Sequence, residues 1–310
     1  MRNSLRRLVN GFVALLPARV LNYFFKVFEM RPELAAAAGY TVYPKVFYSP
    51  IPYRDELNLA ALKARRHLPD VKSNLPQALE LIDKLKAHAS ELQDVPYERT
   101  EGCPFWFDNN SFTDFDAAVL HCVLRHVKPR QYVEVGAGFS SYISSRAISM
   151  NRREGSQCDP VYIDPEPRRD MKEVLSCGRL IQKKVQDVPL DMFKSLKRDD
   201  ILFIDTTHIL KLQSDVVYEF LEILPSLAPG VWIHVHDIFT PYDYPEDWLN
   251  NPIPFACNEQ YALEALLSGG ERYRVILPLF LLWKERSDDL RRLFPRGGTR
   301  PHSFWLCKTG

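Results

Sequence analysis

Two acid–histidine pairs stand out in this 310-residue sequence. F-I-D-T-T-H (203–208) carries Asp205 and His208, and H-V-H-D-I-F (234–239) carries His236 and Asp237. Each pair follows an apolar run, which puts it at the end of a β-strand. Brought together, the four side chains could form a general-base cluster or a divalent-cation site, because imidazole and carboxylate serve both chemistries. Asp205 and Asp237 are the candidate cation ligands. His234 is expected to face away from His236 and to be structural.

Two further patterns suit a nucleotide-like ligand. V-E-V-G-A-G-F-S-S (133–141) sets Gly136 and Gly138 directly after a strand. Glycines there let a ligand approach the backbone, and the next helix offers free N–H groups. Glu134 stands two residues before the first glycine and can reach a cationic amino group. Ser141 occupies the place of the last glycine in G-x-G-x-x-G, which weakens a dinucleotide reading. Y-I-D-P-E-P-R (162–168) ends a strand on Asp164, 26 residues after Gly138. An acid so placed can take both hydroxyls of a ribose.

These residues need a scaffold that gathers strand ends. From about residue 112 the pattern alternates. Asp114 or Asp116 is expected to cap a helix running to His126. Strands follow at 131–138, 160–164, 180–184, 200–205 and 230–237, with helices from Ser140, over 214–227 and over 259–267. Two last strands cover 272–280 and 303–308. Alternation of this kind predicts a doubly wound, mostly parallel sheet with helices on both faces. Ligands of such sheets bind at the carboxyl ends of the strands. Glu134, Gly136, Asp164, Asp205, His236 and Asp237 all fall there.

Composition agrees. Apolar residues make up 46% and charged residues 25%, which excludes wholesale disorder. Forty Lys/Arg against 39 Asp/Glu give a net charge of +1, which argues against a duplex-DNA binder. Six cysteines without C-x-x-C spacing read as thiols in a reducing compartment. No run reaches the ~20 apolar residues of a membrane span, and the basic, apolar start lacks a convincing cleavage site for a signal peptide. The first 70 residues hold eleven Lys/Arg and five Asp/Glu. Residues 4–30 read as a basic amphipathic helix, or two joined at Pro17. Such a helix packs on a partner element or lies on an anionic membrane. Residues 40–55 are Tyr- and Pro-rich and read as extended. Residues 74–93 return to helical spacing.

The order VEVGAGFSS, YIDPEPR, VQDVP, DILFIDTTH, PGVWIHVHDIF, YPEDW and NEQYALEAL resembles class I S-adenosylmethionine-dependent methyltransferases. More narrowly, it resembles a bacterial group with the signature H-D-I-F-x-P-x-x-Y-P. The resemblance spans roughly residues 40–310. It implies a seven-stranded Rossmann-like sheet ending in an antiparallel hairpin. It implies S-adenosylmethionine as cofactor, with Glu134, Gly136, Gly138 and Ser140 along its methionine part, Asp164 at the ribose and Asp187 beside the adenine. It places Asp205, His208, His236 and Asp237 at the acceptor, with a divalent cation such as Mg²⁺ as an optional partner.

The expected organisation is a basic helical extension (1–39), a helical and extended cap segment (40–111) and a methyltransferase domain (112–310). The expected reaction is O-methylation of a small polar acceptor, a sugar or secondary metabolite, with His236 or His208 as base. Nucleic acid is not an expected partner. Peripheral membrane contact through residues 1–30, at the inner face of a cytoplasmic location, and a homo-oligomer are compatible with the sequence. Two other readings stand beside this one. One is a nicotinamide-dependent oxidoreductase, and the other is a non-catalytic binding module on the same fold.

Overall fold

The structure is a computed structural model. It describes residues 17–42, 46, 47, 49, 51–68, 71, 73–168, 170, 171, 174, 177–250 and 256–310. The first half of the expected amphipathic helix lies outside the described residues. The chain separates into two compact units, one reaching to Leu57 and one from Asn58 onward. The first contains α1 (Ala18–Met30), which starts directly after Pro17, and α2 (Pro32–Ala37), which has proline at its first position. Proline suits that position because its missing N–H would be unpaired there anyway.

The second unit opens with α3 (Leu59–Lys63), capped by the Asn58 side chain, which accepts from the amides of Ala60 and Ala61 at 3.1 Å each. Next comes α4 (Leu75–Leu85), whose Ala78, Ile82 and Leu85 are buried at helical spacing. It continues as a 3₁₀ segment, Lys86–Leu92. Residues 58–111 therefore share one compact unit with the sheet.

Twelve of the fourteen residues of α5 (Asp114–Val127) are buried, so this helix lies at the centre of one layer. Neither Asp114 nor Asp116 caps it. Thr113 holds the cap position, and both acids sit inside the first turn. The Asp114 carboxylate instead accepts from the amides of Gly298 (3.0 Å) and Thr299 (3.2 Å), far along the chain.

The sheet follows. Its strands are β1 (Gln131–Val135), β2 (Asp159–Ile163), β3 (Arg179–Ile181), β4 (Ile201–Ile204), β5 (Trp232–Val235), β6 (Tyr273–Pro278) and β7 (Phe304–Lys308). Interleaved are α6 (Phe139–Arg153), α7 (Leu190–Lys194), α8 (Asp215–Tyr218), α9 (Glu259–Ser268), α10 (Leu279–Glu285) and α11 (Ser287–Leu293). Strand order is β3-β2-β1-β4-β5-β7-β6. The first five strands run parallel, and β7 lies antiparallel between β5 and β6. An inserted antiparallel β7 departs from the 3-2-1-4-5-6 order of a dinucleotide dehydrogenase.

Side-chain alternation sorts the strands into two cores. Tyr132, Tyr162, Phe203 and Trp305 pack on one face with α4, α5 and α6. Val133, Val135, Leu202, Ile204, Ile233 and Val235 pack on the other. Both faces are covered, which explains the unbroken apolar run I-L-F-I of β4. The ladder also levels the strand ends. The amides of Gly136, Asp205 and His236 each donate to the last carbonyl of the neighbouring strand, at 2.9–3.0 Å.

Candidate active site

The β1–α6 turn is built by close approach. Gly136 has φ +89°, and a Cβ there would lie 1.7 Å from the Asp205 carbonyl oxygen. Gly138 differs, since a Cβ on it would meet nothing within 4 Å. Its amide donates to the Ser141 hydroxyl at 3.1 Å, so serine does a backbone-holding job where a third glycine was missing.

Glu134 departs from expectation. It is fully buried beneath this turn, on the Tyr132 face of β1. Its carboxylate accepts from Ser140 (2.7 Å), Ser141 (2.6 Å), Tyr132 (2.7 Å) and Ser144 (3.0 Å). With four hydroxyls on two oxygens, it has little capacity left for a ligand. Ser140 is likewise buried and turned toward Glu134, away from the cleft. Burial pushes the Glu134 carboxyl up to about 7, and the four hydroxyls only partly offset this.

A stability consequence follows, and its sign is that of a raised acid. The contribution is complete below the unfolded carboxyl value and fades as pH rises through about 7. Wild type is expected to lose about 3 kcal/mol relative to Glu134→Gln between pH 4.5 and 8. Urea unfolding at a series of pH values measures this, and parallel stability curves for the two proteins would refute it.

A cleft of about 390 Å³ opens at the ends of β1, β2 and β4. Gly136, Asp164, Val185, Gln186, Asp205 and Thr206 are among its walls. Asp164 accepts from the amides of Ala137 (2.9 Å) and Glu166 (2.7 Å), which fixes its carboxylate at the rim. Asp187 is displaced from expectation. It is exposed at the end of the 3₁₀ turn Val185–Asp187, and its two preceding neighbours line the cleft instead.

Asp205 belongs both to this cleft and to a cluster beside it. His208 Nε2 lies 3.3 Å from Asp205 Oδ1 and 3.2 Å from Asp237 Oδ2. His236 Nδ1 lies 3.4 Å from Asp205 Oδ1 and 3.5 Å from Asp237 Oδ1. The four expected side chains do converge. His208 and Asp237 hold left-handed backbones, φ +59° and +57°, which is costly for non-glycine residues and typical of functional sites.

Three neighbours were not anticipated as site residues. Glu259, the first residue of α9, lies 2.8 Å from His208 Nδ1. His302 Nδ1 lies 2.7 Å from Asp237 Oδ1. Asp116 accepts from the amides of His302 (3.0 Å) and Ser303 (2.9 Å), and lies 3.6 Å from His236 Nε2. A signal for His302 exists. Because β7 runs antiparallel to β5, with Val235 opposite Phe304, a histidine two residues before Phe304 must sit opposite Asp237.

Behind the cluster, Thr206 donates to Glu219 at 3.1 Å. Glu219 is buried at the start of a π-helical turn, Glu219–Ile223, that continues α8. Burial first, then Glu259 and Asp215, raises its carboxyl well above the usual range.

His234 does not face away from His236. Residues two apart on a strand share a face, and the two rings are 5.8 Å apart. His234 stacks on Phe203 at 4.0 Å and bonds the Ser303 hydroxyl at 2.8 Å. Burial, with help from His236, lowers its pKa to about 3, so it is neutral.

The other two histidines behave oppositely. Burial opposes charge on His208, but Asp237, Asp205 and Glu259 outweigh it, and the imidazole is held well above its usual range. His236 is raised in the same way by Asp205, Asp237 and Asp116. In return, despite burial, His236 and His208 bring Asp237 down to about 2 and hold Asp205 low. Both histidines are thus protonated at neutral pH. The ordinary histidine value of ~6.5, on which the expectation of a free base rested, does not apply. Two groups also meet the spacing for a cation, Asp205–His208–Asp237 and His236–Asp237–His302, with Asp237 shared.

Residues 133–238 match the family model of a methyltransferase domain. A protein of Archaeoglobus fulgidus is 27% identical over 169 residues, covering 51% of this chain and 75% of that one. Among solved structures, CmcI with S-adenosylhomocysteine is 15% identical with a TM-score of 0.39, over 70% of this chain and 85% of that one. CmcI with Mg and S-adenosylmethionine is 17% identical with a TM-score of 0.38, over 69% and 77%. A putative methyltransferase of Thermobifida fusca is 10% identical with a TM-score of 0.33, over 78% and 97%. Residues 133–238 match a methyltransferase domain, and with its antiparallel β7 and its cleft at the strand ends the chain has the Rossmann-like methyltransferase fold.

Proposed function

We propose that the protein methylates a hydroxyl oxygen of a small polar acceptor, a sugar or secondary metabolite. The observation that carries this reading is Asp205, which lines the cofactor-sized cleft and is also a member of the histidine–carboxylate cluster. A ligand in the cleft therefore ends where the cluster begins.

The residues fit S-adenosylmethionine. Open space over Gly138 and the close-set Gly136 leave backbone accessible to its methionine part. Asp164 is fixed at the rim for the ribose, and Val185 and Gln186 flank the adenine in place of Asp187. Glu134 and Ser140 support the turn from beneath. When bound, the cofactor supplies an electrophilic methyl carbon on sulfur.

The chain's own task is then to orient the acceptor and deal with its proton. His208 and His236 are cationic and stabilise negative charge developing on the acceptor oxygen. Asp205 keeps 26% of its side chain open and orients the acceptor hydroxyl. Held low by the two histidines, it is a weak base, so it takes the proton only as the new C–O bond forms and makes that hydroxyl strongly acidic. A divalent cation in either group would replace these histidine protons, since ligand imidazoles must be neutral. The share of imidazole nitrogen suits Mn²⁺ or Zn²⁺ better than the Mg²⁺ expected from the sequence.

Calorimetry with S-adenosylhomocysteine tests the cofactor half. Asp164→Ala is expected to weaken binding by ~1.5–3 kcal/mol, the range for hydrogen bonds to a charged group. Asp164→Asn keeps one acceptor for the two amides and separates ligand loss from turn collapse. Wild-type affinity in both variants, or no binding by wild type, would count against the assignment.

A further inference from the structure

Helix α1 has an amphipathic pattern whose apolar side is only partly covered among the described residues: Leu21, Val27 and Phe28 are half-buried and Phe24 is exposed. At 3.6 residues per turn, Arg19, Asn22, Lys26 and Glu29 form one narrow polar strip, and Leu21, Phe24, Val27 and Phe28 lie opposite. None of its thirteen residues is buried. Phe24 and Phe25 are 51% and 54% exposed, Tyr23 and Met30 more so. A contiguous apolar face of this kind marks an interaction site.

Length and charge choose the occupant. Thirteen residues make about 20 Å of helix, too short for the ~30 Å hydrocarbon core of a bilayer. Among the described residues no helix is long and apolar enough to cross a membrane. The first 28 residues hold five basic side chains, Arg2, Arg6, Arg7, Arg19 and Lys26, and no Asp or Glu. A second copy would bring like charges together with no acid before Glu29 to pair them. An anionic lipid surface supplies both the apolar layer and the countercharge.

We propose that α1 lies in the interfacial plane of an anionic membrane, with Phe24 and Phe28 turned into the lipid and Arg19 and Lys26 at the headgroups. This stands apart from the methyltransferase reading.

The full chain is sedimented with vesicles of phosphatidylcholine alone and with about 30% phosphatidylglycerol. At least ~10-fold stronger partition onto the anionic vesicles is expected, weakened by salt. Phe24→Ser/Phe25→Ser should reduce it ~10-fold, and Arg19→Glu/Lys26→Glu should remove the lipid-charge preference. Both variants should retain S-adenosylhomocysteine binding, which shows that the catalytic unit is folded. Equal partition onto both vesicles, no partition, or wild-type behaviour of the double variants overturns the proposal. So does a lipid-free dimer, seen by light scattering, that Phe24→Ser/Phe25→Ser dissolves.

Discussion

Gly136→Ala is expected to destabilise the protein by more than ~4 kcal/mol, the range reserved for severe backbone conflict. The new methyl group would lie 1.7 Å from the Asp205 oxygen and 2.7 Å from its carbonyl carbon. Both are main-chain atoms, so no side chain can swing aside. The left-handed φ of +89° adds strain of its own for an L-residue. Relief would require β1 and β4 to part, yet Asp205 donates to Val135 and Gly136 donates to Ile163, each at 2.9 Å. A drop in melting temperature of about 10 °C or more should follow for a unit of this size, together with loss of S-adenosylhomocysteine binding. Gly138→Ala is the matched control. It has ordinary φ and open space around its Cβ, so it should melt near wild type and impair only the cofactor. Near-identical melting of Gly136→Ala and wild type would show that the turn is not locked as described.

Asp237→Asn is expected to lower turnover by ~10²–10³ with cofactor affinity nearly unchanged, as for loss of preorganised charge stabilisation, because Asp237 holds the two histidines cationic. Asn is chosen over Ala because it tolerates the left-handed backbone at φ +57°. The carboxylate touches three imidazoles, with His302 at 2.7 Å, His208 at 3.2 Å and His236 at 3.5 Å. It also lies outside the walls of the cofactor cleft. Removing its charge takes away a main cause of the raised values of His208 and His236. Both should then lose their protons at lower pH than in wild type, a change that ¹⁵N NMR of the histidines can follow before any acceptor is known. Chelator treatment separates the proton and cation versions, because only the latter loses activity and regains it with Mn²⁺ or Zn²⁺. Wild-type turnover by Asp237→Asn, or unmoved histidine titrations, would remove Asp237 from the site.

Where the sheet ends was legible because three apolar runs stop on a charged residue and a fourth on Gly136. Asp164, Asp205 and the His236–Asp237 pair fall at the strand ends in the structure, level with Gly136. The side chains around them were harder to read. Glu134 sits at a ligand-like spacing, but alternation along β1 sends it into the Tyr132 core, where three serines of α6 and one tyrosine enclose it. Ser140, Ser141 and Ser144 share the i, i+1, i+4 spacing that puts hydroxyls on one helix face, a cue present in the sequence. The same period-two rule would have put His234 beside His236. Asp116 and His302 contribute through long-range pairings, 65 residues from His302 to Asp237 and 186 from Asp116 to His302. No local pattern encodes those until the antiparallel register of β7 is known. Glu259 opens a helix and looks like an ordinary first-turn acid; its role depends on the left-handed turn at His208, which aims Nδ1 at it. The protonation of the two histidines depends on several elements at once and has no sequence signature.

The attachment of Asp114 and Asp116 to residues 298–303 has a consequence for how the chain comes into being. These two carboxylates are wholly enclosed, and their amide partners come about 184 to 187 residues later. At ~5–20 residues per second on the ribosome, that interval is on the order of 10–40 s. For that time β1 to β5 can assemble, but α5 carries two acids that lack those partners, and β5 exposes an edge where β7 belongs. The histidine opposite Asp237 arrives with the same segment. A nascent chain halted between β5 and β7 would therefore be sticky and without its complete charge cluster, which makes this gap the interval in which a holding chaperone would matter most.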